Sequence, residues 1–156
     1  MGSCFYLIQL TISKIKKRAQ EITVNGRKLL RSLQKEFSEK YEYLFLAFIE
    51  DQDRGKTVNV KSLKTDTKIV DARKQFSNKE ISLNGRTLVI NMEKYFWKEL
   101  GIAVQIAVKN YSGQKFYFPI GEYFNKLSLT KANNWAKDNG CSIIDDVKEL
   151  SGKTVF

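Results

Sequence analysis

Ile22-Thr23-Val24-Asn25-Gly26-Arg27 is answered later in the chain by Ile81-Ser82-Leu83-Asn84-Gly85-Arg86, at an offset of 59 residues. A recurring segment decides architecture before any single element does. The match continues without a gap. Leu29 falls on Leu88, Leu33 on Met92, Lys35 on Lys94 and Phe37 on Phe96. Tyr41 falls on Leu100, Phe45 on Val104 and Ile49 on Val108. Few of these pairs are identical, but the apolar positions coincide. Residues 22–50 and 81–109 therefore read as two copies of one unit.

Within each copy a short alternating strand runs into Asn-Gly. That dipeptide is the strongest short hairpin signal, because a type I′ turn needs positive φ twice. A second short strand is expected at residues 27–31 and 86–90. Ser32 and Asn91 then stand at equivalent places and are preferred N-cap residues. Helices are expected over 33–41 and 92–100. Leu33, Phe37 and Tyr41 form one apolar stripe, and Met92, Phe96 and Leu100 form the other. Gly101 suits the position just past a helix end. Starting each helix directly after Asn-Gly would give βαβ instead of ββαβ; the aligned caps favour the hairpin.

Each helix feeds a strand. Residues 43–49 are apolar on both faces, as in a strand covered on both sides. Residues 102–109 alternate, so Ile102, Val104, Ile106 and Val108 face a core while Ala103, Gln105 and Ala107 face the other way. Ser112-Gly113 turns the chain, and residues 115–118 return as an antiparallel partner ended by Pro119. Residues 51–79 read as a polar linker with a short ordered piece at 69–72. Residues 110–156 read as a hairpin and helix extension. Thr130 is expected to cap a last helix that Gly140 stops. Ile12, Ile15 and Ala19 suggest a short helix before the first copy, and Ile143, Ile144, Val147 and Leu150 a docked tail.

The fold class that follows is α+β, in one domain over residues 1–156. Two repeated ββαβ (or βαβ) units share a mixed or antiparallel sheet with helices packed on it. By element order alone, the nearest architectures are β-grasp-like or ferredoxin-like.

Composition fits that reading. The 156 residues are 42% hydrophobic and 12% aromatic, enough for one core without disulfide or metal staples. No run of about 18 apolar residues offers a transmembrane helix. Tyr6 stands where a myristoylation signal wants Ser or Thr, and no long apolar stretch precedes Cys4. Cys4 and Cys141 lie far apart without metal spacing, which suits reduced thiols. The expected location is cytoplasmic.

The chain contains no histidine, which removes the commonest general base and metal ligand. No catalytic residue, cofactor or metal site is assigned. Gly55-Lys56-Thr57 and Gly152-Lys153-Thr154 lack the earlier glycine of a phosphate loop; Glu50 and Val147 stand there instead. Asp51 and Asp53 after a strand end are the best carboxylate cluster for a divalent cation, and the distant third function is a carboxylate-dependent enzyme.

Net charge is +10. Lys14, Lys16, Lys17 and Arg18 form a dense cluster, followed by Arg27, Lys28, Arg31 and Lys35. If these converge, they form a polyanion-binding face with salt-dependent affinity. Tyr43, Phe45, Phe116 and Phe118 on an open sheet could stack bases. The competing reading makes the lysines a solvated face and the aromatics core. Trp97 lies off the Met92–Phe96–Leu100 stripe, between Lys94 and Lys98, where the first copy has Ser38. Either the tail or last helix covers it, or it is the candidate interface anchor. The leading function is a non-catalytic binding module whose partner is another protein or a second copy of the chain. The alternative is a nucleic-acid-binding module using the basic N-terminal face.

Overall fold

Strand β1 (Ile22–Val24) and strand β3 (Ile81–Leu83) each point two branched side chains inward and one polar side chain out. A computed structural model describes residues 21–77, 79–112, 115–145 and 156. The two strands pair with each other, antiparallel, with Ile22 opposite Leu83 and Val24 opposite Ile81.

The hairpin expected after Asn-Gly does not form. Residues 27–28 and 86–87 turn directly into helices α1 (Leu30–Lys40) and α3 (Val89–Tyr95), the latter running on through a π-turn, Phe96–Leu100. Asn25 Oδ1 accepts from Arg27 N at 3.1 Å and Asn84 Oδ1 from Arg86 N at 2.8 Å, so each asparagine makes its own local turn. Neither Gly26 nor Gly85 adopts positive φ. Both glycines sit at a close approach. A Cβ on Gly26 would lie 3.3 Å from Val70 Cβ, and one on Gly85 would collide with Thr130 Oγ1.

The helices begin three residues earlier than expected. Their N-cap residues are Leu29 and Leu88, with no capping side chain, while Ser32 and Asn91 sit inside the helices. Backbone from a distant segment does the capping. Leu30 N donates to Thr67 O and Val89 N to Leu127 O, both at 2.9 Å. In return Ile69 N donates to Lys28 O and Leu129 N to Thr87 O, again at 2.9 Å. Helix α2 (Ile69–Ala72) thus starts head-on against α1, and helix α5 (Leu129–Asp138) against α3. These shared bonds satisfy amides that a helix start otherwise leaves open. Ser128 caps α5, accepting from Lys131 N at 3.2 Å, in place of the expected Thr130.

The single shared sheet is replaced by two small antiparallel sheets. The second contains β2 (Phe45–Ile49), β4 (Ala103–Lys109) and β5 (Phe116–Tyr117) in the order β2-β4-β5. The fold is α+β, with helix α4 (Glu122–Asn125) completing five helices among the described residues. The segment between the halves does more than link them: Leu63 N and Glu50 N bond across the outer edge of β2, and Val60 and Ile69 are buried.

The three-stranded sheet is covered on both faces. Leu44, Leu46, Phe48, Ile102, Val104, Ile106 and Val108 join the main core with the stripes of α1 and α3. Phe45, Ala47, Ile49, Ala103 and Ala107 form a second cluster with Val60, Phe118 and Ile144. The gapless offset therefore fails in the closing strands. Phe45 and Ile49 face the second cluster, while their partners at +59, Val104 and Val108, face the first. The π-turn supplies the reason, since it holds one extra residue within a helix. Matching backbone bonds lie 59 apart before it, as at Leu30 and Val89. Core-facing positions lie 60 apart after it: Leu44, Leu46 and Phe48 face the main core as Val104, Ile106 and Val108 do. Gly101 closes the turn at φ 63, a left-handed conformation that glycine adopts without strain.

The expected N-terminal helix lies outside the described residues, as do Val147 and Leu150 of the tail. Among the described residues no helix is long and apolar enough to cross a membrane.

Candidate functional site

Ile90, Glu93, Lys94 and Trp97 share one face of α3, by the three-and-four spacing of a helix. That face looks across a cleft of about 500 Å³ at the turn after β2 and the first residues of β4. Trp97 is half-buried with its body against the second cluster. The Arg54 guanidinium lies over its ring, 4.1 Å from the centroid. Such stacking holds a flat cation in place and leaves its edge donors free.

The turn carrying Arg54 is pinned on several sides. It opens with a 3₁₀ turn, Asp51–Asp53. Asp53 is buried; its Oδ2 accepts from Lys61 N at 2.9 Å and its Oδ1 from Lys56 Nζ at 3.2 Å. The Lys61 amide foremost, and Lys56 with it, hold this carboxyl below its ordinary range. Gly55 reaches φ 83. The Gln105 amide, turned so that nitrogen meets carbonyl, donates to Lys56 O at 3.2 Å and accepts from Gly55 N at 3.1 Å. Asp51 pairs with Lys74, whose ammonium also reaches Gly101 O at 3.5 Å.

Glu93 stands in the wall between this cleft and a smaller one of about 190 Å³, which Gly55 and Gln105 also border. Burial pushes its carboxyl up to about 7, and the Arg54 charge opposes the rise. The smaller chamber is mixed: Ile106, Phe118, Pro119, Ile120 and Phe124 line it together with Thr57, Glu93, Gln105 and Asn125. Ile120 is 83% exposed at its rim, and Tyr123 is exposed in α4 beyond it.

The corresponding face of α1 is closed. Gln34 and Ser38 stand 59 residues before Glu93 and Trp97, and both are buried. Gln34 Nε2 donates to Leu46 O and Ser38 Oγ to Leu44 O, each at 2.9 Å. Short neutral side chains seal that helix onto its strand. A tryptophan and a carboxylate at the same places hold the other side apart.

Of the interface candidates, Trp97 and Lys94 line the cleft and Lys98 does not. Lys14, Lys16, Lys17 and Arg18 lie outside the described residues. Lys28 is half-buried, bonded to Thr23 O at 2.6 Å and Glu36 Oε2 at 2.8 Å, in a hollow shared with Glu21 and Glu39. Arg27, Arg31 and Lys35 are exposed. The sheet aromatics are covered: Phe45 and Phe118 are buried, and Phe156 packs on Phe45, Phe116 and Phe118 with centroids 6.2, 5.9 and 5.4 Å away. Tyr43 is half-buried against the main core. Asp51 and Asp53 are committed to Lys74, Lys56 and the Lys61 amide, and no group of three metal-ligating residues occurs among the described residues. Gly55 N–H is taken by Gln105, so Gly55-Lys56-Thr57 offers no phosphate cradle.

Arg54, Glu93 and Gln105 are the residues that sequence reasoning missed. The change from Gln34 to Glu93 accompanies that from Ser38 to Trp97 one helical turn away, and the pair was the available signal. Comparisons with protein-family models, with curated proteins and with solved structures return no match.

Proposed function

We propose that the chain is a non-catalytic cytosolic module that binds another polypeptide, with the Trp97 cleft as its seat. One observation carries this reading. A helix face that Gln34 and Ser38 seal on one side is held open on the other by Trp97, Glu93 and a stacked Arg54. Tryptophan and arginine are the residues most enriched where binding energy concentrates. The π-turn beginning one residue before Trp97 fits, since such turns recur at functional sites.

We read the frame as two βαβ units, residues 22–50 and 81–109, facing each other about a pseudo-twofold axis. Support comes from β1 pairing antiparallel with β3 and β2 with β4. The mutual capping of α1 by α2 and of α3 by α5 adds to it. On this reading one unit keeps a structural role and the other has diverged to bind.

The test compares wild type with Trp97→Ala at matched thermal stability. A partner protein, or a second copy seen by sedimentation, should be held by the wild type and lost by the variant. Retention by both would remove the cleft from the binding surface. If instead heparin binding weakens steeply with salt and Trp97→Ala leaves it unchanged, the polyanion reading replaces this one.

A further inference from the structure

The two chambers share the wall formed by Gly55, Glu93 and Gln105, and together they describe a ligand. In the larger one Arg54 and Lys94 bring two cations to one opening, which Glu93 and Asp51 also line, Asp51 being paired with Lys74. Among the described residues neither has a carboxylate within ion-pair distance. Arg54 is fixed by Trp97 beneath it, so its fork is set before anything binds. A planar, preorganised guanidinium matches a carboxylate through two parallel bonds. Glu93 borders both chambers, and a carboxyl that keeps its proton can donate to a second carboxylate. A phosphate dianion would carry more charge into that same wall. In the smaller chamber, of about 190 Å³, Ile106, Phe118, Pro119 and Phe124, with Ile120 at the edge, give an apolar wall beside the polar Thr57, Gln105 and Asn125. The whole chain carries +10, which attracts an acidic partner from a distance.

We propose that the cleft recognises an acidic peptide segment: an Asp or Glu side chain bound by Arg54 and Lys94, with a neighbouring apolar residue seated between Phe118 and Phe124. This assignment rests on the polypeptide-binding reading above and adds the chemistry of the partner. Specificity then comes from the pair of residues together. The acidic group alone meets solvent-exposed cations, and the apolar group alone meets a shallow pocket.

The experiment pans a displayed library of random decapeptides against the full chain. It then measures a selected peptide, synthesised with blocked ends, by calorimetry. The expected result is enrichment of Asp or Glu next to Leu, Ile or Phe. Arg54→Gln should weaken binding at least about tenfold, the loss typical of a charge-assisted bond. Trp97→Ala should weaken it similarly by freeing Arg54, and Lys131→Gln, exposed on α5, should bind as wild type. Thermal melting of each variant checks that it folds. Enrichment of peptides without acidic residues, lost with Trp97→Ala, would overturn the acidic assignment and keep the peptide-binding reading. Selected peptides indifferent to Trp97→Ala, or no enrichment, would overturn both. Displacement of the peptide by an oligothymidylate of equal length would overturn the polypeptide partner in favour of nucleic acid.

Discussion

Replacing Glu93 by glutamine should make the protein more stable at pH 8 and leave it unchanged at pH 4. The reasoning starts from burial, which lifts the carboxyl from its ordinary 4.5 to about 7 in the folded chain. Between those values the folded state holds a proton that the unfolded state has released. Stability therefore falls as pH rises through this window. The interval corresponds to about 3 kcal/mol at about 1.4 kcal/mol per pH unit. Glutamine has nearly the same shape and no charge to bury, so the variant escapes that loss. Urea unfolding of both proteins at pH 4, 5, 6, 7 and 8 gives the difference directly, and other titrating groups cancel in it. The difference should be near zero at pH 4, open above pH 4.5 and level off above pH 7 in favour of the variant. A difference that stays flat, or a wild type more stable at pH 8, would refute the account. Arg54→Gln supplies a second check of sign: without the guanidinium the rise in Glu93 loses its opposition, and the wild-type decline should extend to higher pH.

Three further outcomes follow from the packing and the turns. Phe48→Ala removes a fully buried ring lying edge-on to Phe96 at 6.1 Å and should cost about 3–5 kcal/mol in denaturant unfolding; a loss under about 1 kcal/mol would contradict its place at the centre of the core. Asp53→Asn should speed hydrogen exchange at the Lys61 amide at neutral pH. Because the native carboxyl is held below its ordinary 3.8, the wild type's advantage should be present above that value and vanish as pH falls through the lower native one. Gly85→Ala should cost about 1 kcal/mol by displacing the Thr130 hydroxyl, and Gly85→Ala with Thr130→Ala should recover most of it. Additive losses in that double variant would mean that the glycine serves some other need.

Element types that depend on burial were legible in the sequence. The stripes Leu33–Phe37–Tyr41 and Met92–Phe96–Leu100 are buried as their spacing predicts, and residues 69–72 are ordered. The alternation through Ile102 to Val108 sets the inward face of β4. Element starts were misread where a bond to a distant segment replaced a local one. Ser32 and Asn91 looked like caps because a capping side chain is the usual answer at a helix start, whereas here Thr67 O and Leu127 O provide it. Gly26 and Gly85 suggested a hairpin because glycine allows positive φ, whereas here they lie at close approaches to Val70 and Thr130. The one-residue slip between Phe45 and Val104 was invisible because both faces of the strand pair are apolar, so hydrophobicity alone cannot report which way a side chain points. Of the site, Trp97 could be found by asking where one half is apolar and the other is not, and Lys94 only as its neighbour, since Lys35 stands at the same place in the first half. Glu93 carried a signal too, as the change from Gln34 one turn before Trp97, but Arg54 and Gln105 carried none, since only the fold brings the turn after β2 and the start of β4 to the face of α3.

The reciprocal helix starts bear on how the chain acquires its shape. Neither α1 nor α3 carries its own opening signal, and each waits for a strand of backbone roughly forty residues downstream, at Thr67 or Leu127. A fragment cut before residue 67 lacks the groups that complete the first turn of α1, and a short helix without tertiary support is marginal in water. Order must then arrive late and nearly all at once, the regime of slow, cooperative assembly that distant pairings impose. A piece that ends before residue 67 should therefore lose much of the helix of α1, whereas a piece that retains one half keeps its capping backbone and loses the strand pairs that join the halves.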